Sequence, residues 1–169
     1  MEGRRSAYVL TVSDRGAAGD REDTAGAAVA GRLTGLGFAV ERGVVPDERP
    51  HIEAALVAAC ARHPLVVTTG GTGLTPRDVT PQATLAVIDY EIPGFAEAMR
   101  ADGRATTPMA ILSRAVVGVR GQSLIVNLPG SPRGAVESLA VIEPVLGHAL
   151  QTLAGPFDHT GWPGAPGRG

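Results

Sequence analysis

The chain contains no lysine, and all 15 of its basic residues are arginine. That absence excludes a Walker-type phosphate loop, in which a lysine after the GxxxxG turn reaches the terminal phosphates of a nucleotide. A single cysteine, Cys60, excludes an intramolecular disulfide framework and a thiolate metal site built within one chain. Its place in an apolar helical pattern suits a buried structural thiol. His51, His63, His148 and His159 include no pair at metal-ligand spacing, which argues against zinc. Charge of one sign is not concentrated anywhere. The net charge is −2 with acids and arginines interspersed, so there is no basic stripe for nucleic acid and no basic amphipathic helix for a membrane. Long apolar runs are also missing. The run after Met1–Arg5 is too short for a signal h-region or a membrane span, and a cytoplasmic location is expected.

With 169 residues and 44% hydrophobic content, the chain suits one domain with a sizeable core. That domain is expected over residues 1–154, and residues 155–169, rich in glycine and proline, read as a flexible tail. Strands at Ala7–Val12, Ala39–Val45 and Leu65–Thr69 alternate with helices, an α/β pattern. The first helix runs from about Thr24 to Leu36, capped by Asp23 or Thr24, and the second places Ile52, Ala55, Leu56 and Ala59 on one face. Thr80-Pro81 reads as a cap and first-turn proline, and Ile92–Met99 as a further short helix. Ala115–Val119 and Ser123–Leu128 flank Arg120-Gly121-Gln122 as a hairpin, which makes the sheet mixed. The last helix begins at Ser131-Pro132 with Val136, Leu139 and Ala140 inward, and Pro144 is expected to kink it or split it in two.

Between the third strand and the helix at Thr80 lies Thr68-Thr69-Gly70-Gly71-Thr72-Gly73-Leu74-Thr75-Pro76-Arg77-Asp78, combining flexible glycines with hydroxyls, an arginine and a carboxylate. Strand-to-helix loops are where α/β proteins bind ligands. A dinucleotide fingerprint does not fit, because Pro76 stands where the third glycine is needed. An isolated GGTG can equally be only a tight turn.

Right-handed crossovers make the first three strands parallel, so their exits share one edge, and each exit carries an aspartate: Asp14, Asp47 and Asp78. A fourth exit, Asn127-Leu128-Pro129-Gly130-Ser131, leads into a helix N-terminus, where free N–H groups and the helix dipole favour an anion by about 0.3 to 1 kcal/mol. Any one of these aspartates can be a helix cap or a solvated loop residue. Three converging carboxylates repel each other, however, and call for a positive partner. Mg²⁺ together with substrate phosphate is the natural one, with Arg15 and Arg77 covering the remaining phosphate charge.

Six motifs in order, Val12-Ser13-Asp14-Arg15, Val45-Pro46-Asp47-Glu48, Thr68-Thr69-Gly70-Gly71-Thr72-Gly73, Pro76-Arg77-Asp78-Val79-Thr80-Pro81, Leu112-Ser113-Arg114 and Asn127-Leu128-Pro129-Gly130-Ser131, resemble the molybdopterin adenylyltransferases of the MogA/MoaB type. The gephyrin G domain is similar. The resemblance spans Tyr8 to about Leu153. It implies a three-layer α/β/α sandwich with a mostly parallel mixed sheet, usually a homotrimer. It also implies transfer of AMP from Mg²⁺-ATP to the terminal phosphate of molybdopterin, with release of pyrophosphate. The product would pass to a molybdenum insertase, expected on a separate chain because this one is too short to include it. By the same resemblance, Asp47 is the metal and catalytic position, Asp78 serves molybdopterin binding and catalysis, and Ser113 serves turnover and release. Ser13, Asp14, Thr69, Gly70, Gly71, Thr72, Gly73, Arg77, Pro129, Gly130 and Ser131 surround the ligands.

Relatives often carry lysines near the hairpin turn and after Leu-Pro-Gly, where this chain has Gln122 and Arg133. Two alternatives stand beside the transferase: a catalytically weak MoaB-like pterin-binding protein and a CinA-like nucleotide hydrolase. The retained Asp47 and Asp78 speak against the first, and the chain's length against the second.

Overall fold

The computed structural model describes residues 5–156. Stretch 157–169 lies outside them, so the expected tail falls almost wholly beyond the described residues. One six-stranded sheet runs in the order β2-β1-β3-β6-β5-β4. Its strands are β1 (Ser6–Val12), β2 (Ala39–Val45), β3 (Leu65–Thr69), β4 (Tyr90–Glu91), β5 (Val117–Arg120) and β6 (Ser123–Leu128). Strands β2, β1, β3 and β6 are mutually parallel, with Val9 opposite both Arg42 and Val67, and Val67 opposite Val126. The expected hairpin forms between β5 and β6, with Gly121 at φ 58° in its turn, and β4 adds a short antiparallel edge. The sheet is therefore mostly parallel and mixed.

Helices cover both faces and complete the three layers. On one side α2 (Thr24–Gly35), α5 (Pro93–Gly103) and α6 (Pro132–Ala154) bury Val29, Leu33, Met99 and Leu139 against Val9, Val67, Val119 and Val126. On the other, α3 (Arg49–Cys60) and α4 (Thr80–Val87) bury Ile52, Leu56, Ala83 and Val87 against Leu10, Val66 and Ile125. Alternate residues of β1 and β3 thus feed two cores, as the period of a strand requires. Each fully buried Leu or Ile is worth roughly 1.5–3 kcal/mol relative to exposure.

Several boundaries differ from the sequence reading. Helix α6 is one 23-residue element that includes Pro144. It is not split in two, because Pro144 is exposed while Ala135, Leu139, Ile142 and Leu146 anchor the inner face before and after it. Packing offsets the roughly 3 kcal/mol that an interior proline costs. That inner face is also rotated from the expected one: Val136 is half-buried and Ala140 exposed. Asp23, rather than Thr24, caps α2, accepting the Gly26 N–H at 2.8 Å. Thr80 does not cap α4; it is already helical, and its hydroxyl donates to the Gly70 carbonyl at 2.9 Å. The short helix α1 (Asp14–Ala17), strand β4 and a 3₁₀ turn at Pro108–Leu112 had no clear periodic signature.

Among the buried polar side chains described, only the ring nitrogens of His63 lack a hydrogen-bond partner. Asn127 is fully buried; its Oδ1 accepts the Val116 N–H at 3.1 Å, and its Nδ2 donates to Thr68 Oγ1 and Thr84 Oγ1 at 3.0 Å each. One side chain thereby ties β6 to β3, to α4 and to the approach to β5. Asn127→Ala leaves the buried Val116 N–H without its acceptor. The expected loss is about 2 kcal/mol of unfolding free energy, measured by urea titration with an unchanged m-value.

Candidate active site

The exits of β1, β2, β3 and β6 share one edge of the sheet, as their parallel registers demand. Chain order reverses at β1, whose neighbours are β2 and β3, and such a switch point opens a crevice at the strands' carboxyl ends. Here the sequence-predicted residues gather. Asp14 and Asp47 are locked reciprocally: the Asp14 N–H donates to Asp47 Oδ2 at 2.8 Å, and the Asp47 N–H donates to Asp14 Oδ1 at 2.9 Å. Arg77 closes on Asp14 as a two-pronged fork, Nε to Oδ2 at 3.0 Å and Nη2 to Oδ1 at 2.7 Å. Asp47 is not a helix cap, since α3 begins after Glu48 and has no side-chain cap.

These contacts drive the two aspartates apart electrostatically. The Arg77 guanidinium and the Asp47 amide hold the Asp14 carboxyl below its ordinary range. Asp47 moves the other way: burial raises it most, and the nearby charges of Asp14 and Asp78 add to the rise. Its Oδ2 is used by the Asp14 amide, while no described group donates to Oδ1. The Asp14 amide and the Arg77 charge offset that rise only in part, so Asp47 is the less compensated of the two carboxylates. Arg77, expected to meet phosphate, is half exposed and held by Asp14; Arg15 is exposed on α1 and has no ion pair among the described residues.

The glycine turn is rigidly placed beside this cluster. Gly70 and Gly71 have φ of 91° and 69°, which side-chain-bearing residues rarely adopt. The Gly70 N–H donates to Leu128 O at 3.1 Å, and the Thr80 N–H donates to Gly71 O at 3.1 Å. Asp78 folds back to accept from the Thr75 N–H at 2.9 Å and the Thr75 hydroxyl at 2.8 Å. Gly130 packs against Gly70 so closely that a Cβ there would lie 3.3 Å from the Gly70 Cα.

That Gly70–Gly130 seam stands between two cavities. The larger, about 320 Å³, is bordered by Thr72, Gly73, Ser113, Pro129 and Ser131, with Met99 and Met109 supplying apolar wall. The smaller, about 140 Å³, is bordered by Ser13, Thr69, Gly70 and Gly130. Ser131 caps α6 by accepting the Gly134 N–H at 3.1 Å, so the helix N-terminus opens on the larger cavity. The two positions where relatives often carry lysine stand at opposite ends of the sheet. Gln122 sits in the hairpin turn at the start of β6, on the edge opposite the strand exits, and Arg133 is engaged by Glu137 at 2.7 Å.

Residues not singled out for the site complete it. Arg114 hydrogen-bonds the glycine loop, and Arg100 Nη1 donates to the Ser113 and Ala115 carbonyls at 3.4 and 3.3 Å. Thr11 donates to Asp23 Oδ2 at 2.7 Å beneath the smaller cavity. Only Arg114 had a sequence signal, its place in Leu112-Ser113-Arg114.

An α/β domain that gathers acids and an arginine at the carboxyl edge of its parallel strands, with two cavities bordered by the same strand exits, is of the class that binds small molecules there. Residues 8–148 match the family described as "Probable molybdopterin binding domain", and the chain belongs to that family. It is 41% identical over 156 residues to a protein of Helicobacter pylori named molybdopterin adenylyltransferase, covering 88% of each chain. It is also 41% identical over 155 residues to a molybdenum cofactor biosynthesis bifunctional protein of Synechococcus elongatus, covering 90% of this chain and 48% of that one. The solved structure of the molybdopterin biosynthesis enzyme MoaB from Thermus thermophilus matches with a TM-score of 0.84 and 49% identity, over 91% of this chain and 99% of the other.

Proposed function

We propose that this chain is a molybdopterin adenylyltransferase in molybdenum cofactor biosynthesis, with ATP and molybdopterin as its substrates. The carrying observation is the Asp14–Asp47–Arg77 cluster, with Asp78 close by, at the strand exits that also border two cavities through Ser13, Thr69, Gly70, Pro129 and Ser131. A terminal phosphate oxygen of molybdopterin attacks the α-phosphorus of ATP. The bond from that phosphorus to the oxygen bridging the β-phosphate breaks, and pyrophosphate leaves. The attacking phosphate is already ionised at neutral pH, so the protein supplies alignment and charge neutralisation rather than a nucleophile.

Each side chain then has a chemical task. Two cavities hold two substrates; Gly70 and Gly130 let backbone approach the smaller closely, and the flanking Pro129 and Ser131 border the larger. Arg77, exposed and held only through Asp14, exchanges that carboxylate for a phosphate, which its planar fork binds equally well. The Ser113 hydroxyl and the N-terminus of α6 face the larger cavity and donate to phosphate oxygens. Mg²⁺ fits the donor set: Asp47 offers Oδ1, and the ion is normally held by one or two carboxylates with phosphates and water completing the shell. Bound there, it would neutralise the charge of the reacting phosphates. Among the described residues no three or more His, Cys, Asp or Glu side chains cluster as a protein-only metal cage. Asp78, steadied by Thr75, sets the second acidic wall.

Incubating the purified protein with Mg²⁺-ATP and molybdopterin is expected to yield pyrophosphate and a product heavier by one adenylyl group, and neither when molybdopterin is omitted. ATP breakdown without the pterin would point instead to a CinA-like hydrolase. Binding without transfer would point to a MoaB-like binding protein. A homotrimer, a cytoplasmic setting and a separate molybdenum insertase consuming the product complete the proposal. The bifunctional relative supports a coupling to another step of cofactor synthesis, and sedimentation velocity tests the assembly.

A further inference from the structure

Arg114 is the residue on which the parts of this site converge, although none of its bonds reaches a carboxylate. Its backbone N–H donates to the Thr72 carbonyl at 3.0 Å, and its Nε to the Gly73 carbonyl at 2.8 Å. Nη2 donates to the Asp78 carbonyl at 2.6 Å and Nη1 to Gln82 Oε1 at 3.3 Å. One half-buried side chain thus joins the glycine loop, the Asp78 turn and helix α4. The same residue immediately follows Ser113, whose own carbonyl is held from α5 by Arg100. Gly73, Asp78 and Gln82 meet at one guanidinium, while the backbone of the same residue holds Thr72 and continues from Ser113.

We propose that Arg114 is a positioning residue for adenylyl transfer, fixing the Asp78 turn and the glycine loop at the distance the two phosphates require. The inference rests on the transferase reading. All three side-chain acceptors are neutral oxygens, two of them backbone carbonyls of the glycine loop and the Asp78 turn. Its role is geometric: donors on three nitrogens of one rigid plane reach three separated acceptors, whereas the three donors of an ammonium all radiate from a single atom. Misplacing reacting groups by about 1 Å can cost on the order of 10² in rate.

The test compares wild type with Arg114→Ala and Arg114→Lys in two independent ways. Amide hydrogen exchange is read at Thr75 and Asp78, whose N–H groups donate to Asp78 Oδ2 and the Thr75 carbonyl. Both variants should exchange faster there while amides of β1 and β3 stay protected. In the transferase assay kcat should fall roughly tenfold, with KM for ATP changed less than threefold. Added guanidinium ion should restore part of the rate of Arg114→Ala, ammonium should not, and Arg114→Lys should stay slow. Unaltered exchange at Thr75 and Asp78 would overturn the proposal. So would a rate loss that follows the folded fraction and is not rescued, or full activity in Arg114→Lys. If wild type itself transfers no adenylyl group, the transferase reading fails, and the exchange result still decides whether Arg114 holds the loop.

Discussion

Asp47→Ala is expected to lower pyrophosphate release from ATP and molybdopterin by roughly 10² to 10³, the scale on which a preorganised electrostatic element is lost. The cause lies in the division of labour between two touching aspartates. Asp14 is satisfied: it accepts two bonds from Arg77 and one from the Asp47 amide. Asp47 is less so: burial and the charges of Asp14 and Asp78 outweigh the Asp14 amide and the Arg77 charge, and its Oδ1 has no described donor. A group kept in that condition is suited to a cation brought with substrate. Steady-state kinetics across Mg²⁺ concentrations measure this directly, and a variant with wild-type kcat at saturating Mg²⁺ sinks the assignment.

Asp47→Asn separates chemistry from folding. The amide oxygen can still accept the Asp14 N–H, so the reciprocal lock survives while the charge is gone. The sign follows from the raised pKa. An acid whose folded-state pKa lies above its unfolded value stabilises the fold below the unfolded value, near 3.8, and that contribution is lost as pH rises through the folded value. At neutral pH the ionised Asp47 is therefore a liability to the fold. Asp47→Asn should melt slightly higher than wild type at pH 7, by no more than about 1 kcal/mol given solvent screening of a partly exposed group. The advantage should vanish near pH 3, while turnover stays as low as in Asp47→Ala. A lower melting temperature at pH 7 would contradict the electrostatic account.

Much of this arrangement is legible in sequence, for definable reasons. Leu65-Val66-Val67 and Leu124-Ile125-Val126 are buried on both faces of the sheet, and continuous apolar runs bounded by turn residues mark such strands. Parallel topology follows from crossover handedness, which places Asp14, Asp47 and Asp78 on one edge before any coordinates exist. What escaped has equally specific causes. β4 is two residues long and is defined by its partner, the Asp89 and Ile92 N–H groups donating to the Val119 and Val117 carbonyls. The lock between Asp14 and Asp47 joins residues 33 positions apart through backbone amides, which leave no pattern of residue types. Arg114 likewise spends its guanidinium on carbonyl oxygens, so no complementary acid exists in the sequence to announce it. Thr80 carried a cap signature and was recruited by the Gly70 carbonyl instead, a tertiary contact overriding a local one.

The second large effect is predicted at Gly70, with Gly73 as its control. Gly70→Ala should cost roughly 4 kcal/mol, combining about 1–3 for a side chain at positive φ with about 1–3 for overpacking. Gly70 has φ 91°, and an added Cβ would fall 2.5 Å from the Val12 carbonyl oxygen, a backbone atom within the central strand β1. Relief requires moving β1 or breaking the Gly70 N–H bond to Leu128, and either disturbs the seam between the cavities. At Gly73 no positive φ exists, and the nearest atom to an added Cβ is Asp78 Oδ2 at 2.9 Å. That carboxylate is an end of a side chain and can swing aside. Gly73→Ala should consequently lose less than about 1 kcal/mol, as a tolerated small change does, yet displace Asp78 from Thr75 and slow the reaction. Denaturation curves and transferase rates on the pair distinguish the two functions of the loop. Equal destabilisation by both substitutions would contradict the distinction between a fixed backbone clash at Gly70 and a movable side chain at Gly73.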